Sequence, residues 1–130
     1  MLNYATQTRA NPAGITEILM ANSGPSNQLM IMPMLAHLSQ QTKDRWFTWI
    51  APKGGSKKNF DGFGFDKQRV RLIHTRNDEE TLWVLWEALR NGTSAAVAAN
   101  LSSLGDKDRA NLETAARIGG TRGLVLRYRA

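Results

Sequence analysis

Apolar positions along the chain switch between a period of about two and a period of about 3.6, and the switches mark out strands and helices. Ile15-Thr16-Glu17-Ile18-Leu19-Met20 is β-branched and apolar and predicts a first strand. Asn22 to Asn27 is turn chemistry, rich in residues that bond their own backbone. From about Gln28 to Gln41 the apolar residues Leu29, Met30, Ile31, Met32, Met34, Leu35 and Leu38 fall on several sides, which predicts a helix buried on more than one face. Pro33 either kinks this helix or marks its true first turn. Trp46 to Ala51 reads as a second strand stopped by Pro52, and Val70 to His74 as a third. Between them, Lys57 to Phe63 reads as one or two helical turns closed by Gly64.

Leu82, Leu85, Trp86 and Leu89 recur at i, i+3, i+4, i+7 and define one apolar helix face. Asn77 is placed to cap that helix with Glu80 reaching back to it, and Gly92 to end it. Ala95 to Ala99 is a small-residue strand suited to a central, closely packed place. Asp106 is placed to cap a helix from Lys107 to Ile118, ended by Gly119-Gly120, and Leu124 to Tyr128 is the last strand. Strands alternating with helices predict an α/β fold with a largely parallel sheet flanked by helices. Residues 1–13 are polar and read as a flexible arm, and 14–130 as a single domain with no repeat.

Composition narrows the function. The chain has 130 residues and no cysteine, which excludes disulfides, thiol catalysis and cysteine-held zinc. No apolar run approaches a membrane span and the N-terminus lacks a signal-peptide core, so a cytoplasmic protein is expected. The net charge of +6 is unevenly placed. Lys43 to Arg76 holds nine basic residues against three acids, and the tail from Arg117 adds four arginines and no acid. A basic segment on a mildly acidic scaffold points to an anionic partner or to a solvated face.

Catalytic chemistry is hard to find. Strand, glycine turn, helix is the frame of a phosphate loop, but Ser23-Gly24-Pro25-Ser26-Asn27-Gln28 keeps one glycine and lacks the Lys and hydroxyl that hold phosphate and magnesium. Gly54-Gly55-Ser56-Lys57-Lys58 has the wrong residue order and reads as a basic loop. His37 and His74 are separated, with no paired carboxylate nearby, and Asp78, Glu79 and Glu80 read as a helix start. A binding protein without cofactor or metal is expected. Arg45-Trp46-x-x-Trp49 stands apart: alternation sends Trp46 to one face of its strand and Phe47 with Trp49 to the other. Arg45, Trp46, Phe60 and Arg69 together have the aromatic and arginine mixture of interface hot spots, or of a platform that stacks single-stranded nucleic acid.

The run Gln28-Leu29-Met30-Ile31-Met32-Pro33-Met34-Leu35, then Gln40-Gln41, then Arg45-Trp46-x-x-Trp49-Ile50-x-Pro52 resembles the bacterial SOS cell-division inhibitor family SulA. Ala88-Leu89-Arg90-Asn91-Gly92 and Ala115-Ala116-x-x-Gly119 continue the likeness, which covers about Gly14 to Arg127. The resemblance implies a RecA-like fold without a functional nucleotide loop, and binding to the tubulin-like division GTPase FtsZ after DNA damage. Capping the FtsZ face that receives the next subunit would lower both polymerisation and GTPase activity, because hydrolysis needs acidic residues from the neighbouring subunit.

Family positions that matter for FtsZ carry over one at a time. The Arg of the Arg-Trp pair matches Arg45, with Trp46 beside it, and the apolar residue two before the Pro matches Ile50. The aromatic after the next loop matches Phe60, where relatives carry Trp, and the basic residue before the third strand matches Arg69, where relatives carry Lys. Ile50 and Phe60 are expected to act as apolar anchors, and the arginines to pair with acidic groups. The resemblance also implies a homodimer and an ATP-dependent protease as further partners. Longer members carry a tail for that protease after the last strand, and this sequence ends at Ala130. Nucleic acid is not the expected partner. The rival readings are a RecA-like accessory protein that binds nucleic acid or repair partners, and a degenerate nucleotide-binding enzyme.

Overall fold

The computed structural model describes residues 13–21, 25–40, 44–52, 62–65 and 67–128. Among the described residues, five strands and three α-helices follow in the order β1 (Gly14–Met20), α1 (Pro25–Gln40), β2 (Trp46–Ile50), β3 (Val70–Ile73), α2 (Asp78–Arg90), β4 (Ser94–Leu101), α3 (Asp106–Gly119) and β5 (Arg122–Tyr128). A 3-10 turn, Lys67–Arg69, leads into β3. The strands form one sheet in the order β1-β5-β4-β2-β3, and every pairing is parallel. The expected α/β fold with a parallel, helix-flanked sheet is the one observed. Most of the arm expected over residues 1–13, and of the helical turns expected over Lys57 to Phe63, lies outside the described residues.

Alternation along the strands divides the core into two layers. On one side Phe47, Trp49, Ala96, Ala98, Leu124 and Leu126 pack under Ile31, Met32, Leu35 and Leu38 of α1. On the other, Ile50, Val97, Ala99 and Val125 pack under Leu85 and Leu89 of α2 and Leu112, Ala115 and Ala116 of α3. The small residues of β4 let helices approach the sheet centre from both faces, as its sequence predicts. Pro33 lies inside α1 and is solvent-exposed, and the helix runs on through it; Pro25, at the first helical position, is the proline that starts it.

Two caps differ from expectation. Asn77 Oδ1 accepts from the Glu80 N–H at 2.8 Å, but the Glu80 carboxylate accepts from the Arg76 N–H at 2.7 Å rather than from Asn77. The Arg76 N–H bond, with the Arg76 guanidinium at 3.2 Å, holds the Glu80 carboxyl below the usual carboxylate range. Asp106 does not cap α3. Gly105 takes the cap position without a side-chain bond, and Asp106 instead accepts from Arg109 at 2.7 Å one turn on.

The close approach of α2 and α3 depends on glycine at one place. A Cβ on Gly119 would lie 1.9 Å from the Leu89 carbonyl oxygen, so no larger residue fits without moving backbone. Gly120 follows at φ 63 and supplies the left-handed cap that Gly most readily adopts. Thr121 Oγ1 then donates to the Leu89 carbonyl at 2.9 Å, tying the end of α3 to the end of α2.

Candidate functional site

Because all strands are parallel, their N-terminal ends lie along one end of the sheet. Trp46 opens β2 there, with Arg45 just before it, and Arg69 immediately precedes β3. Phe47 pairs with Val70, so Trp46 and Arg69 occupy neighbouring positions in the register. Trp46 points to the face opposite Phe47 and Trp49, as the alternation requires, and is half-buried beside the α2–α3 layer. The Arg71 guanidinium lies 5.0 Å from its ring centroid, a cation–π contact.

Arg71 is the residue that sequence reasoning passed over. Its Nη2 donates to Thr93 Oγ1 at 2.9 Å and Ser94 Oγ at 3.1 Å, and its Nε to Thr48 Oγ1 at 3.3 Å. Thr48 and Ser94 are fully buried and share a 2.7 Å hydrogen bond. A buried Thr facing a buried Ser across two strands leaves acceptors for a neighbouring cation, and Arg71 on β3 fills that place. The only sequence signal was its spacing: two residues after Arg69, it shares a face with Thr48 and Trp46 of the adjacent strand.

Arg45 is used differently. Its guanidinium donates to the carbonyls of Gly120 at 3.1 Å, Gly92 at 3.4 Å and Gly119 at 3.5 Å. These carbonyls belong to the C-terminal ends of α2 and α3, where helix dipoles place partial negative charge. Arg45 therefore joins two helix ends to the start of β2 and remains half-exposed. Arg69 is half-buried, with no ion pair to a described residue.

The expected surface is only partly assembled. Arg45, Trp46 and Arg69 come together, but Ile50 lies at the other end of β2, about 13 Å along the strand from Trp46. Its side chain is 0% exposed among Leu85, Val97 and Ala99, so the expected role as an exposed anchor is corrected: it is a core residue. Ile50 was legible only as apolar and before a Pro, which does not separate an anchor from a core position. Phe60 lies outside the described residues; beyond it, Phe63 and Phe65 pack against the α1 layer, with Phe65 6.1 Å from Phe47.

The chain matches a family model described as "Cell division inhibitor SulA" over residues 13–123. It belongs to the SulA family of cell division inhibitors. Cell division inhibitor SulA of Pseudomonas aeruginosa is 28% identical over 117 residues, 89% of this chain and 73% of that protein. Its namesake in Yersinia enterocolitica is 27% identical over 114 residues, 87% of this chain and 67% of that protein. The crystal structure of SulA from Pseudomonas aeruginosa superposes with a TM-score of 0.82 at 28% identity, covering 91% of this chain and all of that one.

SulA membership fits the decay of the phosphate loop. Residues 21–24 separate β1 from α1, and Ser23 to Met30 carries neither the second glycine nor the Lys-[Ser/Thr] pair of a nucleotide-binding loop. The Arg45 cluster also sits at the N-terminal ends of the strands, opposite the end where open α/β sheets ordinarily hold ligands. His37 and His74 are both exposed, and no group of three or more possible metal ligands occurs among the described residues. No helix among those residues is long and apolar enough to cross a membrane.

Proposed function

We propose that this chain halts septation after DNA damage by binding FtsZ in the cytoplasm and covering the face that receives the next FtsZ subunit. The observation that carries the reading is the juxtaposition of Arg45, Trp46, Arg69 and Arg71 at one end of a sheet in a SulA-family chain. A half-buried indole supplies apolar contact area, and the guanidiniums around it suit an acidic polymerising partner. Phe60 is the further apolar contact that the family resemblance implies for this proposal, whereas Ile50, at the far end of β2, belongs to the core. The positive segment speeds encounter with an acidic surface. No catalytic step is required: one inhibitor blocks one polymer end or subunit stoichiometrically. Self-association and removal by an ATP-dependent protease are part of the same proposal.

Sedimentation of FtsZ polymers decides it. With GTP present, equimolar purified protein is expected to keep most FtsZ in the supernatant and to lower its GTPase rate. Undiminished pelleting at equimolar protein, with normal GTP turnover, would refute the proposal.

A further inference from the structure

A second surface lies on the helical face, away from the Arg45 cluster. A groove of about 550 Å³ runs between α2 and α3, lined by Glu79, Leu82, Trp83, Trp86 and Asp108 among others. Trp83 is 62% exposed, an unusual state for the largest apolar side chain on a helix whose other face is core. Its ring stacks on Trp86 with centroids 5.4 Å apart and planes 19° apart. Arg90 lies 5.4 Å from the Trp86 ring. Cation and indoles thus form a column along α2, Arg90 to Trp86 to Trp83, that begins with a cation and ends on an exposed indole.

The charges around that indole are negative. Glu79 stands one turn before Trp83, and Asp108 faces it from α3; neither makes an ion pair with a described residue. Both lie in the first turn of their helices. Among the described residues, no cationic side chain lines the groove. An open π face between two unpaired carboxylates is complementary to a planar cation, which stacks on indole and takes carboxylates through paired N–H donors. The same carboxylates repel phosphate, so nucleic acid does not suit it.

We propose that this groove binds an arginine-bearing basic segment of a partner protein, with the guanidinium stacked on Trp83 between Glu79 and Asp108. The segment's apolar portion lies over Leu82. This surface is independent of the FtsZ-binding reading, since it occupies a different face of the molecule.

The test uses calorimetric titration of the whole chain with N-acetyl-hexa-arginine amide at about 150 mM salt, where long-range attraction is screened. The net charge of +6 opposes non-specific capture of such a peptide. Saturable binding is expected, weakened at least tenfold by Trp83→Ala and by Glu79→Gln with Asp108→Asn, restored in part by Trp83→Phe, and unchanged by Glu87→Gln. Glu79→Lys leaves the apolar packing in place and is expected to abolish binding while lowering Tm by no more than the few degrees that a cation at a helix N-terminus costs. The proposal is overturned if no saturable binding occurs, if Trp83→Ala leaves it intact, or if Glu87→Gln weakens it equally. Sedimentation showing a dimer that Trp83→Ala dissolves would also overturn it, by making a second copy the occupant. Trp83→Ala is expected to inhibit FtsZ pelleting as the unaltered chain does, which separates failure here from failure of the proposed function.

Discussion

Arg45 and Arg69 flank the same stretch of sheet, yet their side chains do unlike work. Arg45 spends its donors on three carbonyls at the ends of two helices, whereas Arg69 makes no ion pair with a described residue. Hydrogen bonds from a charged group are worth about 1.5–3 kcal/mol, so Arg45→Ala is expected to lower stability by roughly 2 kcal/mol, or about 7 °C in Tm. The same change should weaken FtsZ inhibition by more than tenfold, through the surface it holds in shape. Arg69→Ala should weaken inhibition with Tm unchanged within about 1 °C, as for surface changes in general. Thermal melts beside FtsZ sedimentation check both; equal Tm losses would remove the distinction. Arg45 was legible as important because it sits beside Trp46, but its partners are 47 to 75 residues away in sequence and no local pattern names them. Ile50 shows the opposite limit: an apolar residue at a strand end reads the same whether it faces solvent or core.

The helices and strands themselves were largely readable, because each carries its own periodicity. β3 was expected to run to His74 and ends at Ile73; β4 was expected over Ala95 to Ala99 and runs Ser94–Leu101. Errors gathered where tertiary contacts extend an element. β5 begins at Arg122 rather than Leu124 because Gly123 is accepted inside the strand, where a Cβ would meet Ile15 Cδ1 at 2.6 Å and Leu89 Cδ2 at 3.0 Å. Gly119 was read as a helix stop, and it is also the contact that lets α2 and α3 converge. Gly119→Ala is expected to destabilise by more than about 2 kcal/mol, since the clash is with backbone and cannot be relieved by a rotamer. Gly105→Ala, where a Cβ meets nothing within 4 Å, should change stability by less than about 0.5 kcal/mol. Chemical denaturation of the pair checks this, and a neutral Gly119→Ala would mean the helix ends are not held this close.

For the molecule as a whole, the first and last strands are joined by an ion-pair network. Glu17 on β1 accepts from Arg109 on α3 and from Arg127 on β5, the latter at 3.3 Å. The Arg109 hydrogen bond, with smaller help from Arg127, holds the Glu17 carboxyl below its usual value of 4.5 despite the opposing effect of burial. A carboxylate whose folded value is lowered contributes stability that is fully present above the unfolded value and is lost as pH falls through the folded one. Glu17→Gln should therefore be less stable near neutral pH, with the gap to the unaltered chain closing as pH falls below about 4.5. Melting curves from pH 7 to about pH 3 measure it, and a constant gap would show that the pairing is electrostatically idle. At the alkaline end Tyr128, whose phenol burial pushes up to about 12, loses its contribution as pH rises from 10 toward that value.

The place of β1 has a consequence for how the protein is made. β1 is the first of the described strands, at an edge of the sheet, and its one neighbour among them is β5, the last of them. During synthesis Ile15 and Ile18 therefore leave the ribosome about a hundred residues ahead of the strand that will hold them. Until Arg122–Tyr128 has emerged, the central strands can pair but the sheet cannot receive its first member. A nascent chain halted before Arg122 would present β1 as an unpaired apolar segment, a substrate for chaperones rather than an early inhibitor. Activity would then wait for β5 to emerge, so that the delay between transcription and arrest of division includes translation of the hundred or so residues between the two strands.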